Sequence, residues 1–272
     1  MGIEASEDWW NSQNAHAFFP SVYYHGDDSF EGHVENTELN QSERTKREIR
    51  GILQMLRPLS GHRVVDCPCG IGRHSLTIAE SSPRFRVTGI DLSKTAIHTA
   101  RKKAREKSLE NCRFIEGDMR KLPIEDATHD YVLNLFLSFG FFLAQEDNQQ
   151  VLREAARVLK PGGKILIHTD VNPLRIQAGT YADRSIRTLR DGAELNIYES
   201  FNSANKRLEG KWTILGPHDE QRQAAYSIRI YDHEEMRQML HACGFHDVKI
   251  RAFPPSAKDS DKAQEIAYLA TK

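Results

Sequence analysis

The chain is short of cysteine, has no long apolar run and carries almost no net charge, and each shortage removes a class of protein. Its four cysteines, Cys67, Cys69, Cys112 and Cys243, fall on or beside apolar stretches, where a free thiol behaves as a small hydrophobe. No second Cys/His pair at ligand spacing follows Cys67-Pro-Cys69, so no metal centre is expected. Such thiols fit a reducing compartment, here the cytoplasm. No stretch approaches the roughly 18 apolar residues of a membrane span, and the first residues are acidic and polar, without the apolar core of a targeting signal. A soluble protein with no membrane partner is expected. A formal charge of −1 over 272 residues leaves no field to attract nucleic acid.

What the chain does have is Arg63-Val-Val-Asp66-Cys-Pro-Cys-Gly70-Ile-Gly72-Arg73-His74. It reads as a buried strand ending in an acid, a glycine turn and the start of a helix. Val64 and Val65 suit a parallel strand covered on both faces, and the two glycines permit a tight turn and close approach of backbone to a ligand. A second strand, Phe85 to Asp91, ends in an acid 19 residues past Gly72, where a carboxylate accepts both hydroxyls of a ribose. Nicotinamide dinucleotides and S-adenosylmethionine (SAM) both use such a layout. A dinucleotide turn needs a third glycine, and Ser75 stands in its place. Asp66 would meet a pyrophosphate as a like charge, but it attracts a ligand carrying a sulfonium and an ammonium. These residues favour SAM.

From about Gly61 to Phe253 the chain resembles the class I SAM-dependent methyltransferases in the order of their motifs. Val-Val-Asp66-Cys-Pro-Cys-Gly70-Ile-Gly72 is similar to the first motif, Gly-Ile-Asp91-Leu-Ser93 to the second and Phe114-Ile-Glu-Gly-Asp118-Met119 to the third. Asp130 to Gly140 matches the fourth strand and its exit, and Val158 to Ile167 the turn into the fifth. One residue departs from the pattern: Pro68 replaces the family's first glycine and removes an amide donor. The resemblance implies an α/β, Rossmann-like sheet of seven mostly parallel strands with an antiparallel C-terminal hairpin. It also implies a cofactor site made of Asp66, Cys67, Gly70, Gly72 and Arg73, then Asp91 and Leu92, Asp118 and Met119, and Asn134 and Phe136. In that site Asp91 holds the ribose hydroxyls, Asp118 the adenine amine, and Asp66 with the glycine turn the methionine end. S-adenosylhomocysteine is the implied product.

Three regions differ in character. Residues 1–43 contain no Lys or Arg, many acids, and Trp9, Trp10, Phe18, Phe19, Tyr23, Tyr24 and Phe30. Disordered segments lack aromatics, so this one is expected to pack, either as a cap on a sheet edge or as a lid that brings Tyr23 or Tyr24 to the sulfonium through an aromatic face. Residues 44–170 alternate helix and strand. Strands are expected at about 63–67, 85–91, 112–116, 130–136 and 164–169, with helices at about 42–56, 73–80, 94–107 and 146–159, which together read as a parallel sheet with right-handed crossovers. Arg101 to Lys107 reads as a solvated helix face. An insert at about 171–231 shows strand-like alternation over 193–201, 207–215 and 224–231. A helix at 232–243 and strands at 247–253 and 266–271 close the domain of residues 44–272.

The residues after the fourth strand narrow the substrate. Asn134-Leu-Phe136-Leu-Ser138-Phe is neither the Asn-Pro-Pro-aromatic run of DNA amino-methyltransferases nor the Pro-Cys of cytosine-carbon enzymes. It is similar instead to enzymes that methylate small molecules. Methyl transfer from a sulfonium is an in-line displacement governed by alignment, and a base assists where the acceptor is protonated. Candidate bases are His168 and Asp170, which share a face at the end of the fifth strand, and Tyr198 in the insert; Tyr198, Trp212, Arg229 and Tyr231 are candidates to line the acceptor pocket. The leading expectation is a methyltransferase acting on N or O of a small-molecule acceptor. Two alternatives stay open: an enzyme that cyclises SAM and releases methylthioadenosine, and a non-catalytic SAM-binding module. Homo-oligomerisation also stays open.

Overall fold

The fold is seen in a computed structural model that describes residues 5–11, 13–14, 17–23, 41–57, 62–178, 182–189, 191–216, 218, 220–253, 255 and 263–272. The chain divides into two units. One comprises Met1–Arg44, Phe141–Leu143 and Arg175–Ile230, and the other Thr45–Gly140, Ala144–Leu174 and Tyr231–Lys272. No helix among the described residues is long and apolar enough to cross a membrane.

The second unit contains the parallel sheet. Helix α1 (Gln41–Leu56) leads to β1 (Arg63–Asp66), α2 (Arg73–Ser81), β2 (Arg86–Asp91), α3 (Lys94–Glu106), β3 (Cys112–Glu116), β4 (His129–Asn134), α4 (Gln145–Val158) and β5 (Leu159–Thr169). After α5 (Pro173–Gln177) and the insert, it resumes with α6 (His233–Ala242), β10 (His246–Phe253) and β11 (Glu265–Thr271). The strand order is β10-β11-β5-β4-β1-β2-β3. Strands β1 to β5 run parallel, while β11 is antiparallel to β5 and β10 to β11. Each expected strand and helix of this unit is present, with ends moved by a few residues.

Near-continuous burial explains the strands. β1 is exposed only at Arg63 and β2 only at Arg86, the pattern of strands covered on both faces. Ile49, Ile52 and Leu56 of α1, one helical stripe, pack with Val64, Leu133 and Leu166 in one buried cluster. Side chains of that size contribute roughly 1.5–3 kcal/mol each when fully buried. Helix starts are set by caps: Ser93 Oγ accepts the Ala96 N–H at 3.2 Å, and Asp232 forms a capping box with Glu235. The basic run on α3 is not wholly a solvated face. Arg101 donates Nε and Nη2 to the carbonyl of Phe114 on the edge strand β3, at 3.0 and 2.8 Å.

The first unit is built on an antiparallel sheet, in the order β6 (Ala182–Thr188), β7 (Glu194–Asn202), β8 (Arg207–Leu215), β9 (Gln221–Arg229). Of its strands, β6 is the one not expected from sequence. Its residues, ADRSIRT, are mostly polar, and it is the edge strand, paired with β7. The described part of the amino-terminal segment packs within this unit. Trp9 lies 4.9 Å from the ring of Phe141 and 6.0 Å from that of Tyr226, and Phe18 lies 5.1 Å from Trp212 and 4.9 Å from Tyr226. Tyr226 covers Gly210, where any β-carbon would collide with its ring. Register fixes the faces: Ile197 pairs with Trp212, while Tyr198 pairs with Lys211. Trp212 therefore points to the aromatic side, and Tyr198 to the opposite one.

Candidate functional site

In the strand order, chain direction away from β1 reverses between β1 and β4, and ligands of open α/β sheets bind outside the carboxyl ends of the strands at such a switch point. Asp66 ends β1 and Asn134 ends β4, one residue past the Asp66–Leu133 pair. Asp66 is 1% exposed. Ser75 donates its hydroxyl to Asp66 Oδ2 at 2.6 Å, while Oδ1 is buried with no partner among the described residues. Burial pushes the Asp66 carboxyl up to about 7, against the lowering effect of the Ser75 hydrogen bond. Asn134 donates Nδ2 to the Cys67 carbonyl at 3.0 Å, and its Oδ1 is likewise buried and unpartnered. Two adjacent strand ends thus offer two orphaned acceptor oxygens, and a buried acceptor without a donor is costly.

The turn after β1 is fastened to the end of β2. Gly70 and Gly72 both take positive φ, 53° and 80°, and a β-carbon on Gly72 would sit 2.7 Å from the Phe114 ring, so position 72 admits glycine alone. Asp91 accepts the Gly70 N–H on Oδ2 at 2.7 Å and the Ser93 N–H on Oδ1 at 2.9 Å. Its carboxyl is raised all the same, because burial outweighs those two donors. Each oxygen keeps a lone pair for a further donor.

Arg73 and His74 open α2 and share Glu48 of α1. Arg73 pairs with Glu48 Oε2 and donates to Thr45 Oγ1 at 3.0 Å, and His74 Nε2 meets the same Glu48 oxygen at 3.0 Å. Burial, with the Arg73 charge beside it, lowers His74 to about 4, so the ring is neutral and donates. Phe136 packs against both: the His74 ring is stacked on it at 5.1 Å and the Arg73 guanidinium lies 4.3 Å from its centroid.

Leu92 directly follows Asp91 at the exit of β2, half-buried. Met119, Cys67 and Asn134 line one small cavity with Leu122 and Phe139. Burial holds the Cys67 and Cys69 thiols well above their usual range, so neither is a thiolate nucleophile. Asp118 is engaged by Arg120, whose Nη2 reaches Oδ2 at 2.7 Å and whose Nε lies 3.2 Å from Oδ1, while Nη1 continues to Asp147 at 3.0 Å. An adenine amine at Asp118 would share that carboxylate with Arg120.

The three candidate bases are placed differently. His168 has no exposed surface; its Nδ1 accepts the Phe136 N–H at 3.2 Å and its Nε2 meets Glu265 Oε2 at 3.0 Å. With Nδ1 accepting, Nε2 carries the proton, and no lone pair is left for an acceptor substrate, which corrects the expectation of a base there. Asp170 lies just past the end of β5 rather than on it. Tyr198 belongs to the antiparallel unit, is 48% exposed, and rests against the Arg184 guanidinium at 5.2 Å. It stands on the face opposite Trp212, so it is not grouped with the aromatic side chains of the insert. Arg229 is turned to main chain, toward the carbonyls of Ile230 and Lys206, and Tyr231 packs on Phe139 at 5.4 Å. Tyr24 lies outside the described residues.

Glu48, Ser75, Arg120 and Glu265 were not singled out from sequence. The one signal for Glu48 was an acid on the apolar stripe of α1, beside Ile49 and Ile52. Ser75 was read only as the missing third glycine, and Glu265 is brought to His168 by a pairing 97 residues apart in sequence.

A family described as methyltransferase domain matches residues 64–163. A demethylmenaquinone methyltransferase of Listeria welshimeri is 38% identical over 115 residues, which are 42% of this chain and 47% of that protein. The chain therefore matches about half the length of that relative. Among solved structures, the CcbJ methyltransferase of Streptomyces caelestis superposes with a TM-score of 0.70 at 18% identity, over 83% of this chain and 88% of that one. SAM-bound CalS10, an amino pentose methyltransferase of Micromonospora echinaspora, does so with a TM-score of 0.61 at 20% identity, over 88% and 99%. Sheet order, glycine turn and family match agree: residues 64–163 match a methyltransferase domain, and the α/β fold is like that of the solved methyltransferases.

Proposed function

We propose that this protein is an enzyme, a SAM-dependent methyltransferase that transfers a methyl group to N or O of a small-molecule acceptor. The pair of orphaned oxygens, Asp66 Oδ1 and Asn134 Oδ1, carries the reading. They ask for a ligand that brings N–H donors and positive charge to the switch point, and the ammonium of SAM has both. The residues present fit that cofactor: Asp66, Asn134 and the Gly70–Gly72 turn would hold the methionine end, Arg73 and Phe136 its flank, Asp91 and Leu92 the ribose, and Asp118 and Met119 the adenine. When bound, SAM supplies an electrophilic methyl carbon. The protein's part is alignment, worth several orders of magnitude in rate. Ser75 keeps Asp66 turned to the ligand, and the glycine turn brings main chain close to it. With His168 engaged on both nitrogens, the reading requires no base from β5 and suits an acceptor that arrives with a free lone pair.

The proteins named above are described as a demethylmenaquinone methyltransferase and an amino pentose methyltransferase, which supports a small-molecule acceptor. We assign acceptor choice to the antiparallel unit, which includes the amino-terminal aromatic segment as a cap or a lid. Four free cysteines support a cytoplasmic setting. The test is incubation of the purified protein with methyl-labelled SAM and a panel of amino sugars and reduced quinones. Labelled acceptor with S-adenosylhomocysteine is expected. Methylthioadenosine formed from SAM alone would replace the reading with cyclisation, and binding without either product would make the protein a non-catalytic module.

A further inference from the structure

Beyond Asn134 the chain does something costly. Phe136 and Leu137 take φ of 56° and 52°, two consecutive left-handed residues with neither a glycine nor an asparagine. Each costs roughly 1–2 kcal/mol, so the turn persists only because its surroundings impose it. One residue supplies both main-chain anchors: His168 accepts the Phe136 N–H on its ring Nδ1 and the Leu137 N–H on its carbonyl, each at 3.2 Å. Ser138 closes the turn by donating its hydroxyl to the Leu135 carbonyl at 2.7 Å. The Phe136 ring is held as well, between His74 and Arg73 on its face and His168 at 4.8 Å, edge to face.

His168 is in turn fixed from behind. Phe253 of β10 packs on its ring at 4.3 Å. Glu265, the first residue of β11, accepts from Nε2, and β11 is zipped to β5 with Ala267 opposite His168. A carboxylate on Nε2 selects the tautomer with the proton there, which leaves Nδ1 free to accept. The other tautomer would set two N–H groups against each other and release the turn.

We propose that His168 and Glu265 are positioning residues for methyl transfer: through the tautomer of His168 they hold the left-handed Phe136–Leu137 turn beside the Asn134 oxygen, and so fix where the acceptor meets the methyl group. This rests on the methyltransferase reading, but the clamp itself is tested without turnover. Nitrogen NMR of the purified protein is expected to show His168 as the neutral form protonated at Nε2. Hydrogen exchange of the Phe136 and Leu137 amides is expected to speed up at least tenfold in His168→Leu, and to stay near the parent rate in His168→Asn, whose side-chain oxygen can replace Nδ1. A His168 protonated at Nδ1, or unchanged exchange in His168→Leu, overturns the clamp whatever the enzyme's activity. On an accepted substrate, His168→Leu is expected to lose at least tenfold in kcat with S-adenosylhomocysteine affinity held within about threefold, while His168→Asn recovers most of kcat with the parent pH profile. Equal inactivity of both variants, with the acidic limb of that profile abolished, would make His168 a base and sink the proposal. If His168→Leu does not fold, the comparison passes to Glu265→Ala and Glu265→Gln, with Gln, which keeps an oxygen for Nε2–H, expected to retain more kcat than Ala; the reverse order overturns the proposal.

Discussion

Gly70 donates its main-chain N–H to Asp91 Oδ2 at 2.7 Å, so the acid that ends β2 also fastens the turn that ends β1. In the proposed site, ribose binding and turn geometry are thereby joined in one carboxylate. Asp91→Ala is expected to weaken S-adenosylhomocysteine binding by about 1.5–3 kcal/mol, the value of charge-assisted hydrogen bonds. Asp91→Asn, which keeps one acceptor oxygen, is expected to lose less. Calorimetry on the two variants checks this, and unchanged affinity in the alanine variant removes Asp91 from the site.

In the proposed site, Asp66 is expected to give the cofactor affinity a pH dependence. Its carboxyl stands at about 7, above the ordinary value of 3.8, because burial disfavours the charge. The stability it contributes is full below about pH 3.8 and is lost as pH rises through about 7. A bound cation favours the ionised form, so binding runs the other way and tightens as pH rises. Between pH 6 and pH 7.5 the gain expected from a group at about 7 is about eightfold. Asp66→Asn should flatten that slope, and titrations at the two pH values decide it.

Glu48 is the shared partner of Arg73 and His74, and it is 4% exposed. Removing one member of a buried ion pair leaves the other charge uncompensated, at a cost of about 3–5 kcal/mol. Glu48→Gln should lower the urea midpoint accordingly. A loss under about 1 kcal/mol would mean that Thr45 and solvent are sufficient for Arg73.

Tyr198 was expected as a catalytic group and stands on the outward face of β7. Tyr198→Phe is expected to leave kcat within about twofold of the parent. A loss of a hundredfold, the size of a general acid–base contribution, would restore it to the chemistry.

Trp9 is 1% exposed, among Phe18, Phe19, Phe141 and Tyr226. Trp9→Ala should therefore cost about 3–5 kcal/mol of stability, as large-to-small changes in a packed core do. Circular dichroism in urea reads it directly.

The parallel sheet was legible because each strand announced itself twice, by an apolar run and by the motif at its carboxyl end; Val64-Val65-Asp66 is the clearest case. Asp66 and Asn134 were legible as strand-terminal polar groups for the same reason, each following a buried run. The contacts of His168 were not, since strand alternation gives a face but not a partner, and its partner Glu265 arrives through a long-range antiparallel pairing. β6 was missed because an edge strand needs little apolar character. The face of Tyr198 was not legible, because alternation leaves the choice of face open until register is known, and the Ile197–Trp212 pair puts Tyr198 opposite the aromatic side.

The antiparallel unit is assembled from three stretches of sequence, residues 1–44, 141–143 and 175–230, and its aromatic centre draws Trp9 and Phe18 from the first, Phe141 from the second and Trp212 and Tyr226 from the third. That makes it a poor candidate for transplantation as a cassette. A chimera that exchanges only the segment between β5 and α6 would carry away one wall of a shared core and strand the other two in the recipient, whereas one that moves all three stretches together keeps the core whole. The same bookkeeping applies to descent: changes at positions 9, 18, 141, 212 and 226 are expected to be accepted in concert, across some two hundred residues of chain.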